Sequence, residues 1–184
     1  PFHVLIATIL SQHTKDDNTR KASDNLFNVY NSIEELADAD YDHVAELIRP
    51  AGFPKQKSKG IVDCCRVIRD EYGSIIPSET DELLKLPMVG RKTAACTRSY
   101  AMNIPSVCVD THVHRVSKRL GLTKHNSTPF ECEKDLLKII PFEKRSKFHH
   151  QTIWFGRTIC KARKPLCDEC QLKDVCPYYK NKKI

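Results

Sequence analysis

The chain has 184 residues, 40% of them hydrophobic and 29% charged, with only six glycines, which excludes a disordered or fibrous protein. Its longest apolar run, Val4 to Leu10, is far short of the roughly 20 residues a membrane helix needs. The net charge of +7 is uneven: residues 143–184 hold 11 Lys/Arg against 4 Asp/Glu, while the preceding residues balance. That C-terminal surplus reads as a solvated tail or as a phosphate-contacting surface. The length allows one large or two small domains. No signal peptide is recognisable. An amphipathic run starts directly after Pro1, so a trimmed N-terminus is expected.

Helical patterns run almost throughout, and no strand pattern is convincing. Phe2 to Leu10 is apolar at helical spacing. Asp16 to Tyr30 places Ala22, Leu26, Phe27 and Tyr30 on one face. Ser32-Ile33-Glu34-Glu35 opens a short helix as a capping box, and Asp40 caps the next. Pro50-Ala51-Gly52-Phe53-Pro54 then forms a tight connector. Phe53 is thereby stranded in a loop and expected to be exposed; it reads as a staple onto the core, which is favoured, or as an apolar wedge for a base stack. Lys55, Lys57 and Lys59 form a basic cluster leading into a helix with Ile61, Cys65, Ile68 and Tyr72 on one face. Gly73 and Pro77 mark a loop, and Ser78 is expected to cap a helix through Leu84.

Leu86-Pro87-Met88-Val89-Gly90 is a turn, and Arg91 to about Met102 a helix. Two short helices so joined make a helix-hairpin-helix. Its backbone N–H groups beside a helix start suit a phosphate, and Arg91 and Lys92 add charge. A plain αα-corner uses the same turn chemistry. Asp110 stands at an N-cap position before His112, Val113, Val116 and Leu120, and closing that helix is a sufficient reason for it. Gly121 ends this helix, and Thr128-Pro129-Phe130-Glu131 opens another with a capping box. The last helix, roughly Lys144 to Cys160, holds Trp154 and Phe155, both expected in the core.

Of nine cysteines, Cys64, Cys65, Cys96, Cys108 and Cys132 are scattered through helical patterns as small hydrophobes. Cys160, Cys167, Cys170 and Cys176 fall within 17 residues as C-x6-C-x2-C-x5-C, a metal-binding cluster. One CxxC with unequal flanking spacers favours [4Fe–4S] over zinc, which stays open. The first spacer carries Lys161, Arg163 and Lys164.

LPMVGRKTA, Val109-Asp110-Thr111-His112 and the cysteine spacing together resemble the endonuclease III family of helix-hairpin-helix DNA glycosylases, from Phe2 through Cys176. The resemblance implies an all-α, two-lobed fold with a C-terminal iron–sulfur loop and DNA in the cleft between lobes. Residues 1–105 would form a helical barrel domain with the hairpin at about 79–102. Residues 106–184 would form the cluster domain, with the [4Fe–4S] loop at 160–176, lacking the family's N-terminal helix.

The implied activity is removal of oxidised pyrimidines from double-stranded DNA, with strand cleavage at abasic sites. Lys92 would be the nucleophile and Asp110 its carboxylate partner. Gln12 would fill the gap left by the flipped base, Phe53 would be the wedge, and His112 would lie near the flipped nucleotide. Val89, Gly90 and Arg91, with the basic loop Lys161, Arg163 and Lys164, would hold the backbone. The four clustered cysteines would hold the iron. A monomer with no membrane association is expected, working in a prokaryotic cytoplasm at the nucleoid or in a eukaryotic nucleus.

The sequence departs from the family where glycine usually stands at Met88, and the wedge is more often aliphatic than Phe. A nucleophilic lysine must act as the free amine. The positive end of a helix, Arg91 alongside and burial in a cleft are expected to favour that form. Two other functions fit parts of the pattern. One is a mismatch-directed glycosylase on the same scaffold, acting on thymine or uracil opposite guanine or on adenine. The other is a non-catalytic DNA-binding module with a structural metal.

Overall fold

The structure, a computed structural model, describes residues 1–182; Lys183, part of the basic C-terminal surplus, and Ile184 lie outside the described residues. All regular elements among the described residues are helical: α1 (Phe2–Leu10), α2 (Asp16–Phe27), α3 (Ile33–Ala37), α4 (Tyr41–Leu47), α5 (Pro54–Tyr72), α6 (Thr80–Leu83), α7 (Arg91–Ala101), α8 (Thr111–Arg119), α9 (Pro129–Ile139), α10 (Arg145–Thr158) and α11 (Pro177–Lys182). No helix among them is long and apolar enough to cross a membrane. The chain divides into two compact units, Pro1–Ile104 and Pro105–Ile184.

In the first unit α5 packs on α3 and α4, and α1 packs on α7 and α2. The apolar positions at helical spacing are the buried ones: Leu5, Ile6, Ile9 and Leu10 of α1, and Ile61, Cys65 and Ile68 of α5. The second unit packs α8 against α10 and α9 around Val107, Val113, Cys132 and Leu136.

Several helix starts follow their caps. Asp40 accepts from Asp42 N and His43 N, and Thr128 with Glu131 closes a full capping box. At α3 the box is displaced: Ser32 accepts from Glu35 N, but the Glu35 carboxylate reaches back to Asn31 N rather than Ser32 N. Gly121, at φ 74°, closes α8, with Leu122 N donating to Ser117 O in a Schellman arrangement.

Some expectations need correction. α2 ends at Phe27, three residues before Tyr30. Ser78 does not cap α6: the N-cap is Glu79, and the serine hydroxyl bonds the Glu79 side chain. Trp154 is not core but 63% exposed, because α10 turns His149, Thr152 and Gly156 inward instead. Ile139 is likewise exposed. The short helix α11, after Cys176, is an addition to the sequence reading, with Pro177 at its first position.

Candidate active site

The hairpin is α6, a turn through Gly90, and α7. Val89 is buried beneath the turn, and its N–H donates to Leu86 O. Gly90 is the N-cap of α7, so no side chain covers this helix start, and a Cβ there would meet nothing within 4 Å. The fold itself does not demand glycine at that point; the open space suits close approach of an external anion to the backbone. Met88 adopts φ 62°, so the turn does use the left-handed conformation that glycine fills most easily. The hairpin is therefore retained with methionine, and the Met88 side chain lies over Gly60 of α5, where a Cβ would come within 2.1 Å of Met88 Cγ.

Arg91 and Lys92 occupy the first turn of α7 and are exposed, whereas Thr93 to Thr97 are buried. The expected burial of Lys92 is thus not provided by the folded chain. Gln12 follows α1, and its Nε2 donates to Met88 O at 2.9 Å and Thr93 Oγ1 at 3.3 Å. The structure so brings Gln12 and the hairpin turn together. Phe53 is 63% exposed in a left-handed conformation, φ 57°, which rules out the favoured staple onto the core. Its ring stands edge-on to His13, centroids 6.3 Å apart.

Within the second unit, Asp110 caps α8: Oδ1 accepts from His112 N and Val113 N, both at 2.8 Å. A carboxylate at a helix start is also stabilised by the helix dipole. His112 is half-buried, its Nδ1 3.2 Å from an Arg115 nitrogen. Arg115 donates to Gly156 O at 2.8 Å and Cys160 O at 3.2 Å. One turn on, Arg119 donates to Lys161 O at 2.7 Å and Ala162 O at 3.2 Å, and its guanidinium lies over the Tyr178 ring at 4.5 Å. These two arginines tie α8 to the end of α10 and to the basic loop. Sequence reasoning passed over both; their i, i+4 spacing on α8 was the available signal. Lys161, Arg163 and Lys164 are all exposed on the loop that Arg119 braces.

Cys160, Cys167, Cys170 and Cys176 line one pocket together with Leu120, Phe155, Ile159, Pro165 and Leu166. None of the nine cysteines is in a disulfide. Among the described residues, no three His, Cys, Asp or Glu side chains gather closely enough to hold a single ion. A tetrahedral zinc with bonds of 2.3 Å needs its sulfurs about 3.8 Å apart. A cubane takes one thiolate per iron at its corners, so cysteines around a shared apolar pocket fit it better. Leu172 N donates to Cys170 Sγ at 3.4 Å, and Arg119 reaches Cys160 Sγ at 3.4 Å, contacts that suit metal-bound sulfur. By contrast Cys64 and Cys65 are buried in the first core, and burial pushes the Cys64 thiol up to about 12.

Comparisons with known proteins place these features. The profile of the HhH-GPD superfamily of base excision DNA repair proteins matches residues 6–142, and that of the iron–sulfur binding domain of endonuclease III matches residues 160–176. Endonuclease III of Thermotoga maritima is 45% identical over 99% of this chain and 85% of its own length. Endonuclease III of Escherichia coli is 34% identical over 97% of this chain and 84% of its own. The structure of a trapped endonuclease III–DNA covalent intermediate superposes with a TM-score of 0.90 at 39% identity, covering 98% of this chain and 85% of that one. A thermostable thymine-DNA glycosylase reaches the same TM-score at 26% identity, over 98% of this chain and 85% of that one, so the shape alone does not separate substrates. The chain belongs to the endonuclease III family of base-excision-repair enzymes, DNA glycosylases with abasic-site lyase activity that carry a [4Fe–4S] cluster and act on DNA.

Proposed function

We propose that this enzyme removes oxidised pyrimidines from duplex DNA and cleaves the strand at the resulting abasic site, with Lys92 as nucleophile and Asp110 as its carboxylate partner. The observation that carries the reading is the pairing of an exposed lysine at the start of α7 with the 45% identity to an endonuclease III. A covalent endonuclease III–DNA intermediate has been trapped in a relative, which supports a covalent route here.

In this reading the Lys92 amine attacks C1′ of the extruded nucleotide, the N-glycosidic bond breaks, and the base departs with the bonding pair and takes up a proton. Ring opening gives an imine between Nζ and C1′. Loss of a C2′ proton then expels the 3′ phosphate by β-elimination. Asp110 stabilises positive charge on the sugar and manages the amine's protons. Exposure of Lys92 means that bound DNA must supply the desolvation.

Gln12 fills the gap in the stack and Phe53 wedges it open, a reading its exposure favours. His112 lies near the extruded nucleotide. Gly90 and Arg91 grip the backbone at the hairpin, with Val89, buried and its N–H on Leu86 O, shaping the turn rather than touching DNA, and Lys161, Arg163 and Lys164 grip it on the cysteine loop. Cys160, Cys167, Cys170 and Cys176 are the cluster ligands; when bound, the cluster supplies four iron–thiolate bonds that fix this loop. The enzyme of this reading acts as a monomer, in a prokaryotic cytoplasm or a eukaryotic nucleus. A mismatch-directed glycosylase on the same scaffold is the second reading, favoured by the thymine-DNA glycosylase match; it needs no amine nucleophile.

Borohydride trapping on a duplex with one oxidised thymine separates the two. Lys92→Gln is expected to abolish trapping and strand cleavage, and Asp110→Asn to fold and bind DNA with turnover lowered by about 100-fold or more. Full trapping by Lys92→Gln removes the assignment.

A further inference from the structure

Lys57 lies in the first turn of α5, one turn beyond Phe53, and is only 2% exposed. Its place between Lys55 and Lys59 suggests a solvent-facing phosphate grip. Instead its Nζ points inward and donates to Leu10 O at 2.8 Å, Gln12 O at 2.6 Å and Thr14 Oγ1 at 2.8 Å. That uses all three ammonium hydrogens, and none of these acceptors is a carboxylate. Burial accordingly pulls this amine below its ordinary 10.5. What offsets the cost is the carbonyl end of α1, whose last turn has no basic residue of its own.

The same three bonds join two connectors. Thr14 Oγ1 also accepts from Gly52 N at 3.2 Å, and a Cβ at Gly52 would sit 3.1 Å from His13 O. The segment after α1 and the segment before α5 are therefore in direct contact, with Lys57 and Thr14 at the joint. Between them they expose His13 and Phe53 and carry Gln12, half-buried with its amide on Met88 O and Thr93 Oγ1. His13 and Phe53 both hold positive φ, 52° and 57°, an unfavourable conformation for such side chains that persists only under outside restraint.

We propose that Lys57 is a positioning residue for base extrusion: it fixes the Gln12–Thr14 and Gly52–Phe53 connectors as one rigid unit, so that gap filler and wedge enter the duplex together. This rests on the assignment of Gln12 and Phe53 as the probing side chains. Lys57 itself touches no DNA. Its contribution is confined to the step that opens a paired base stack, leaving the covalent chemistry and the electrostatic grip unchanged.

The test uses Lys57→Met in the full chain with its cluster. One substrate is a duplex with an oxidised pyrimidine; the other is a single-stranded oligonucleotide with an abasic site, where no paired base has to leave. On the duplex, kcat is expected to fall about 100-fold with KM little changed. On the single strand, cleavage and borohydride trapping stay within about threefold of the parent. The signal of a 2-aminopurine beside the lesion, which brightens as the stack opens, rises less than with the parent. The salt slope of DNA binding is unchanged, whereas loss of a phosphate contact lowers it by about one.

Thr14→Val removes the shared hydroxyl while keeping the lysine. It is expected to show the same selective loss to a smaller extent, and it carries the test if Lys57→Met does not fold. Equal losses on both substrates, parental rates on the duplex, or a reduced salt slope would each overturn the proposal. Trapping by Lys92→Gln, in contrast, overturns the catalytic assignment and leaves the two-substrate comparison for Lys57 intact.

Discussion

Between Pro1 and Ile104 the helices share a continuous apolar core that runs from Leu5 to Ala94, whereas from Pro105 onward the buried cluster is Val107, Val113, Cys132 and Leu136. The second unit also leaves Phe130, Ile139, Phe142 and Trp154 substantially exposed. In place of apolar burial it has Arg115 and Arg119, each donating to several carbonyls, and four cysteines around one pocket. The first unit is held chiefly by water leaving a large apolar surface, a diffuse force that survives local damage. The second concentrates its stability in a few bonds, and small units often need a metal for this reason.

Removal of iron makes the sharpest attack on this contrast. With the cluster chelated, residues 105–182 are expected to lose amide-exchange protection while α1 to α7 keep theirs, as absorbance near about 400 nm disappears. Equal loss of protection in both units would erase the distinction.

Leu36→Ala addresses the other side. Leu36 is fully buried on α3 against α5, and its truncation should cost about 3 kcal/mol in urea unfolding of the first unit. The rate of iron release to a chelator should not change.

A smaller effect lies in the titration of Cys64. Its thiol is raised by burial from 9.0 to about 12, so the folded chain keeps a proton that the unfolded chain gives up. Its contribution to stability is complete below pH 9 and declines as pH rises from 9 towards 12, by at most about 1.4 kcal/mol per pH unit. Cys64→Ala should flatten this slope in urea titrations at pH 8 to 10.5, and an unchanged slope would show that the core admits the thiolate.

What could be read in advance was what local chemistry decides. Asp40, Thr128 and Asp110 act on N–H groups two or three residues away, and these caps stand where the sequence suggested. The cysteine spacing is likewise local. Contacts across long stretches of chain left no such mark. Lys57 bonds residues 43 to 47 positions away, and Arg119 bonds a loop 42 positions on, so the acceptors of neither could be read from its sequence neighbours. Trp154 misled for a related reason. Its size argues for burial, but the inward face of α10 is set by what α8 offers, and Gly156 there admits His112 and Arg115. Exposure of Phe53, by contrast, was legible in its place on a proline-flanked connector, although the preference for a staple onto the core was not upheld.

Met88 and Gly60 carry a consequence for how this sequence can vary. Methionine occupies the left-handed turn of the hairpin with its side chain filling the notch that Gly60 leaves in α5. A methyl group at position 60 would collide with it, while glycine at 88 would relax the turn and leave the notch empty. The two positions are thus linked: a side chain at 88 that reaches past Cβ in this direction occupies the space a Cβ at 60 would need, and trimming it to Cβ or less frees 60 for alanine. Placing alanine at 60 therefore calls for a change at 88 in the same molecule.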